Sequence, residues 1–289
     1  MKEKEKKKNS ILKFIFILLL MSFFLLLYSR FISTSGLKVK EYKIVNVNIP
    51  DNINGLKIVH LSDIHYGRII DKTRLEKVVE KINLIKPDIV VITGDLIDRD
   101  TKLNDDDIKF ITNSLSKISV TTNKYAIRGN HDYVFDEWKD IINNSNFINL
   151  DNNYDYIYIN NYNPILITGL SSLQDEKNIN SRYDTIKNNI DKDDINTIYN
   201  ILLVHETDFV DNIDISKYNL ILGGHSHNGQ VRLPFIGPII LPKESKKYYD
   251  EYYNLETADF YISSGLGTSE LDFRFFNRPS FNFYRITNK

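Results

Sequence analysis

Cysteine is absent from the 289 residues, which removes disulfides, thiolate catalysis and cysteine-ligated zinc, although it does not fix the compartment. A charge imbalance is missing too. The 37 Lys and Arg offset 38 Asp and Glu to a formal net charge of −1, so no global pull toward nucleic acid exists. There is no basic stripe and no aromatic–basic interleaving, which disfavours a nuclease, and no nucleic-acid partner is expected. No internal repeat and no Pro- or Gly-rich linker follows residue 40, so the remainder reads as one catalytic domain, 41–289. Histidine is scarce at six residues, and that scarcity makes the position of each informative. Against these absences, 42% hydrophobic and 26% charged residues describe a chain with enough core to fold.

The chain does contain one long apolar run. Met1–Lys8 holds five lysines and two glutamates, and Ile11–Tyr28 follows with Lys13 as its sole charge. At about 1.5 Å per residue that run nearly matches a hydrocarbon core of about 30 Å. Lys13 lies one turn from the edge and can snorkel to the interface. The run exceeds a signal-peptide core of roughly 7–15 residues, and a lysine-rich flank does not suit a buried helix. The expectation is a basic cytoplasmic segment over 1–10, an uncleaved transmembrane anchor over 11–28 and a linker over 29–40. Lysines before the span place the rest outside the cytoplasm, on a single-pass cell-membrane protein.

Downstream, Glu41–Ile49 alternates as a half-buried edge strand, and Leu56–Ser62 is the next strand. Asp71–Lys86 has helical periodicity and stops at Pro87. Asp88–Thr93, uninterrupted and β-branched, reads as a strand buried on both faces. Asp105–Ser116 is the next helix, Lys124–Arg128 a strand, and Phe135–Ile142 a helix holding the single tryptophan, Trp138. This alternation implies parallel strands with helical crossovers. From Phe147 onward the chain is rich in short strands: a hairpin pair over Tyr154–Ile159 and Pro164–Gly169, then Tyr199–Val204, Leu220–Leu222, Val231–Leu233, Asp259–Ser263 and Ser280–Ile286. Ser171–Asp194 reads as a polar loop with one helix. The second half is expected to form a second sheet against the first.

The chemistry lies at strand ends. Five stretches matter: Asp63-Ile64-His65, Gly94-Asp95 with Asp98, Gly129-Asn130-His131-Asp132, His205, and Gly224-His225-Ser226-His227. They contain five of the six histidines. Carboxylate, imidazole and amide oxygen without thiolate suit Mn²⁺, Fe or Zn²⁺. Alternate residues of an extended chain share a face, so Asp63 and His65 point outward from one strand end, as do His225 and His227. Seven ligands are too many for one tetrahedral ion and suit two divalent ions that share a carboxylate. His60, mid-strand, reads as a packed histidine rather than a ligand. Asp98 could cap a turn, and Asp132 could cap the helix over Phe135–Ile142.

These motifs, in this order over about residues 56–233, resemble the calcineurin-like metallophosphoesterase superfamily: D-x-H, G-D-x-x-D, G-N-H-[DE], a lone H, then G-H-x-H. The resemblance implies a four-layer αββα sandwich, two mixed sheets flanked by helices, within the α/β class. It implies that Asp63, His65 and His227 hold one metal, that Asn130, His205 and His225 hold the other, and that Asp95 bridges both. His131 resembles the family's non-ligand histidine, which protonates the leaving oxygen, with Asp98 and Asp132 as its orienting partners. Two ions about 3.5–4 Å apart neutralise phosphate oxygens and lower the pKa of a shared water toward 7, so hydroxide can attack phosphorus without a covalent intermediate.

The tail, GHSHNGQVRLP at 224–234 and SSGLGTSELDFRFFNRPSF at 263–281, looks like a bacterial membrane-associated branch of predicted phosphohydrolases, whose members resemble phosphodiesterases or lipid pyrophosphatases. Asn228 stands where glycine is usual and Ser226 where threonine is usual, and neither touches a ligand. Arg274 and Arg278 could clamp a substrate phosphate or serve structural ion pairs. The run Tyr248–Tyr253 could face lipid or be an ordinary strand. The expected activity is hydrolysis of a lipid-linked or envelope phosphoester. The alternatives are a general nucleotide or phosphomonoester hydrolase and a non-catalytic metal-binding scaffold, which would not need His131.

Overall fold

The computed structural model describes residues 2–46, 49–159, 163–174 and 179–288. Parts of two expected segments, 47–48 of the strand over Glu41–Ile49 and 175–178 of the loop over Ser171–Asp194, lie outside the described residues. Helix α1 spans Lys2–Leu27 and continues as a π-helical turn over Tyr28–Ile32. No part of its apolar window is covered by protein, as expected of a helix that fits a membrane anchor.

The elements then run β1 Lys38–Val45, β2 Lys57–Leu61, α2 Lys72–Ile85, β3 Ile89–Thr93, α3 Asp105–Ser116, β4 Lys124–Ile127, α4 Trp138–Asn144 and β5 Ile148–Asn149. They continue with β6 Asn153–Ile157, β7 Ile165–Leu170, α5 Ile179–Asp193, β8 Tyr199–Val204, β9 Leu220–Gly223, β10 Arg232–Leu233, β11 Gly237–Pro238, β12 Tyr252–Leu255, β13 Ala258–Ile262 and β14 Ser280–Thr287. Local chemistry sets the helix ends. Asp71 caps α2 by accepting from Arg74 N–H at 2.8 Å, and Lys86, left-handed at φ 54°, ends it before Pro87. Asn104 caps α3 by accepting from Asp107 N–H at 2.9 Å, and three aspartates in its first turn complement the helix dipole.

Two six-stranded mixed sheets result, ordered β1-β14-β2-β3-β4-β5 and β12-β13-β9-β8-β7-β6. β2, β3 and β4 are mutually parallel, as are β7, β8 and β9. Side-chain alternation sorts each central strand into two cores. Ile58, Ile89, Val91 and Tyr125 of the first sheet meet Ile167, Ile201, Leu203 and Leu222 of the second. Val59, Leu61, Val90 and Ile92 face α2, α3 and α4 through Leu75, Ile111 and Trp138. Leu202, Val204 and Ile221 face α5 through Tyr183 and Ile186. The architecture is therefore helices, sheet, sheet, helices.

Three features differ from the sequence expectation. β14 joins the first sheet, between β1 and antiparallel β2. Almost every residue of β14 is buried, so alternation gave no clue to which sheet it serves. The helix expected at Phe135 starts at Trp138, because Asp132–Val134 is a 3₁₀ turn and Phe135 is extended. The strand expected over Val231–Leu233 pairs only with β11, outside both main sheets. The Tyr248–Tyr253 run leads into the ordinary strand β12, with Tyr248 buried 5.1 Å from the Tyr253 ring and 5.6 Å from Phe260, and Tyr252 exposed.

Candidate metal centre

Five strand ends converge at one rim: β2, β3 and β4 from the first sheet, and β8 and β9 from the second. Asp63 and His65 follow β2, Asp95 and Asp98 follow β3, and Asn130 and His131 follow β4. His205 follows β8, while His225 and His227 follow β9. C-terminal strand edges are where open α/β sheets place ligands. The strands do not stay extended there. Asp63, His65, Asp95, His225 and His227 all adopt left-handed backbone angles, φ 45–62°. Such strain costs of order 1–3 kcal/mol per residue and persists where the surroundings over-determine it. Paired backbone bonds do so here: Asp63 N–H to Gly94 O and His65 N–H to Asp95 O, both 3.0 Å. The side chains thus converge because the chain turns, not because it continues as pleat.

Two glycines make the convergence possible. A Cβ on Gly94 (φ +95°) would lie 2.5 Å from Gly129 N and from His205 Nδ1. A Cβ on Gly129 would lie 2.2 Å from Asp95 Oδ1. Backbone and ligand therefore fill the space that a side chain would need.

Asp63, His65 and His227 offer ligand atoms within 4.8 Å of one another, and so do Asp95, His205 and His225. Asp95 lies between these clusters: its Oδ2 is 3.5 Å from His65 Nε2 and 3.4 Å from His205 Nε2. Asn130 Oδ1 is 3.1 Å from His205 Nε2. The outward ring nitrogens face acceptors. His65 Nδ1 is 3.1 Å from Asp98 Oδ2, His205 Nδ1 is 2.7 Å from Thr93 O, and His225 Nε2 is 2.9 Å from Lys243 O. Protons belong on those outward atoms, which turns the lone pairs of His65 Nε2, His205 Nε2 and His225 Nδ1 inward. Inward lone pairs gathered on a buried carboxylate repel unless a cation lies among them, so the donor set fits metal.

The electrostatics agree. Burial alone would raise the Asp95 carboxyl, but His205, His65 and His131 overcome it and hold it well below the usual range. Burial lowers His205, yet Asp95 overrides it and raises the ring well above its ordinary value. Asp63 is pushed up by burial and by Asp95, and His227 is pushed well down by burial, His65 and Arg274. The cluster is a buried collection of competing charges of the kind divalent ions relieve.

His131 sits against the His65 ring, centroids 4.5 Å apart and edge-on, with its Nδ1 3.3 Å from Asp98 Oδ2. Its backbone N–H donates to Asp95 Oδ1 at 2.8 Å. Asp98 thus serves both the His65 and His131 rings. Asp132 reaches neither ring and does not cap α4. Its carboxylate accepts from Gly129 N–H at 2.9 Å and Ile97 N–H at 3.2 Å, clamping the β4 loop to the β3 loop. Burial and Asp95 push it up to about 7.

Arg274 is fully buried and spends its guanidinium on backbone carbonyls of Ser264, Gly265, Gly267 and Asn277 rather than on a substrate. It holds the 264–267 loop behind Asp63 and His65, where a Cβ on Gly267 would lie 2.8 Å from His65 Cβ. Arg278 is exposed. Arg99, which the motif reading passed over, directs its backbone N–H and Nε at the two nitrogens of His131, at 3.2 and 3.3 Å. Its adjacency to Asp98 was the available signal. Asn228 adopts φ 48°, so the turn accepts asparagine in place of glycine.

Comparison with known proteins places this arrangement. The family model described as calcineurin-like phosphoesterase matches residues 56–229. The uncharacterized metallophosphoesterase YkuE of Bacillus subtilis (strain 168) is 32% identical over 264 residues, covering 90% of this chain and 88% of its own. The uncharacterized metallophosphoesterase Cj0846 of Campylobacter jejuni is 33% identical over 275 residues, covering 92% and 68%. A solved structure, TT1561 of Thermus thermophilus, aligns at a TM-score of 0.47 and 13% identity over 74% of this chain and 92% of that one. The chain belongs to the calcineurin-like phosphoesterase family, the metal-dependent phosphoric ester hydrolases.

Proposed function

We propose that the protein is a membrane-anchored phosphodiesterase or pyrophosphatase that acts on a lipid or cell-wall phosphate outside the cytoplasm. Asp63, His65 and His227 would hold one divalent ion, Asn130, His205 and His225 a second, with Asp95 shared. The observation that supports this most is Asp95, whose Oδ2 faces a ring nitrogen of each cluster at 3.4–3.5 Å. Divalent ions, when bound, supply Lewis acidity toward phosphate oxygens and make a water acidic enough to attack phosphorus at neutral pH. The chain's own groups do the rest. The buried rim excludes bulk water, and Asp98 fixes the His65 and His131 rings. His131, outside both ligand sets, donates a proton to the departing oxygen. A scaffold would not need it.

The lipid reading draws support from α1, an apolar helix uncovered along its length that would confine the rim near a bilayer, and the lysines at its start favour a cytoplasmic N-terminus. The test uses the metal-stripped full chain in detergent with bis-p-nitrophenyl phosphate and p-nitrophenyl phosphate, adding back Mn²⁺, Zn²⁺ or Mg²⁺. A lipid diphosphate in vesicles and soluble nucleotides complete the panel. Metal-dependent diester cleavage lost in His131→Ala, with turnover of the lipid substrate, is the expected result. Hydrolysis of soluble nucleotides alone contradicts the lipid assignment, and metal binding with no turnover of any ester contradicts catalysis.

A further inference from the structure

β10 and β11 form a small hairpin that belongs to neither main sheet. Its tip and outgoing strand display Phe235, fully exposed, with Ile236 75%, Ile240 73% and Ile239 55% exposed. Single exposed apolar residues are ordinary. Four large ones within six positions make a patch of the kind that marks a docking surface. Phe235 is held at φ 68°, a left-handed angle uncommon for an aromatic residue, so the tip keeps the ring outward at a conformational cost.

The base of the hairpin rests beside the anchor. Arg232 N–H donates to Phe275 O at 2.9 Å, and Phe275 N–H donates to Gln230 O at 3.2 Å. The Phe275 ring meets Tyr28 edge-on at 6.0 Å, Arg274 N–H donates to Ser29 O at 3.1 Å, and Arg30 pairs with Asp272 at 3.5 Å. Residues 272–275 therefore join the membrane-facing end of the anchor helix to the hairpin's root. Phe31, Phe276 and Leu271, each more than half exposed, extend the apolar surface around this platform. Past Ile240, Lys243 pairs with Glu244 at 3.2 Å and Lys247 with Asp211 at 2.8 Å, so this edge carries little free positive charge and the apolar surface itself makes the patch.

At its other side the hairpin touches the metal centre. Gly229, in the turn that carries His227, is packed so closely on β11 that an added Cβ would lie 2.2 Å from Pro238 Cβ. His225 Nε2 meets Lys243 O, just past the hairpin, at 2.9 Å.

We propose that Phe235, Ile236, Ile239 and Ile240 insert into the near leaflet of the bilayer that α1 spans, so that the hairpin docks the metal centre at headgroup depth. The occupant of the patch is a lipid bilayer surface. Continuity with α1 favours lipid over a protein partner. The inference rests on the reading of α1 as an anchor and deepens the proposed function, because it brings a headgroup phosphate to the His225 and His227 rim.

Because the chain has no cysteine, a single introduced one carries a unique spin label. The full-length variants Ile236→Cys and Ile240→Cys are labelled in vesicles of phosphatidylcholine and phosphatidylglycerol. Tyr158→Cys, 61% exposed at the opposite sheet edge, is the control. The expected result is relaxation by lipid-soluble oxygen at 236 and 240 and by aqueous nickel chelate at 158. A Phe235→Asp/Ile236→Asp double variant should hydrolyse a bilayer-embedded phosphodiester at least tenfold more slowly, with bis-p-nitrophenyl phosphate turnover unchanged. Water-exposed labels at 236 and 240 in a preparation active on soluble ester overturn the hairpin's role and leave the catalytic reading intact. Spin–spin broadening between labels of two copies overturns the lipid assignment in favour of a dimer. Lipid-immersed labels with no hydrolysis of any ester refute the catalytic reading while supporting the insertion.

Discussion

Asp98→Asn tests the second carboxylate of the β3 loop. Oδ2 faces His65 Nδ1 at 3.1 Å and His131 Nδ1 at 3.3 Å, while Oδ1 accepts from Asp100 N–H at 3.1 Å. Burial would raise this carboxyl, but bonds from His131 and His65 hold it far below its usual range, so it is ionised at any working pH. Asparagine fits the space in two ways, and both fail. One turns its NH₂ toward the His65 Nδ1–H, and the other turns it toward Asp100 N–H. Hydrogen bonds to a charged partner are worth about 1.5–3 kcal/mol each, and partners that orient metal ligands typically govern about 10–100-fold in affinity or activity. The variant should therefore lose about 2–3 kcal/mol, divided between metal affinity at His65 and proton donation by His131. Calorimetric metal titration measures the first part, and kcat on bis-p-nitrophenyl phosphate at saturating Mn²⁺ measures the second. Metal affinity and kcat both within twofold of wild type would refute the reasoning.

Two further consequences concern stability. Arg274→Met would leave the carbonyls of Ser264, Gly267 and Asn277 without their donor, while Gly265 O keeps Ser280 N–H, which should cost on the order of 4 kcal/mol. At about 2–4 °C per kcal/mol for a domain of this size, Tm should fall by roughly 10 °C, and a change under 2 °C would contradict the structural role. His60, bonded at Nε2 to Thr93 Oγ1 at 2.7 Å, is held down to about 3 by burial. The unfolded ring takes up a proton near pH 6.5 and the folded ring does not, so stability present above pH 6.5 is lost as pH falls toward 3. From pH 7 to 5 the loss through this group is about 2 kcal/mol. Denaturant unfolding of His60→Gln should show a fall smaller by that amount, and parallel pH slopes would rule the effect out.

The centre was legible because its residues are bound to local signals. Strands such as Asp88–Thr93 end in a glycine and then an aspartate, so the ligands lie within a few residues of elements that composition reveals. What was not legible depends on contacts distant in sequence. β14 is buried on both faces, so only its partners show which sheet it completes. The Asp63 and His65 pair was expected to share one face of an extended strand, whereas left-handed turns bring the side chains in. Arg274 read equally as a phosphate clamp or a structural ion-pair partner, and only the folding of the 264–267 loop around it shows that it bonds backbone carbonyls. Val231–Leu233 reads as one more strand, and only its detachment from both main sheets shows that the following Phe235 and Ile236 face outward.

The central claim, two divalent ions around Asp95, is tested most directly by equilibrium titration of the metal-stripped full chain with Mn²⁺ beside Asp95→Asn. The account predicts two ions per chain, with binding at both positions weakened in the variant because one carboxylate serves both clusters. One ion per chain with undiminished diester hydrolysis, or two ions bound equally well by Asp95→Asn, would contradict it.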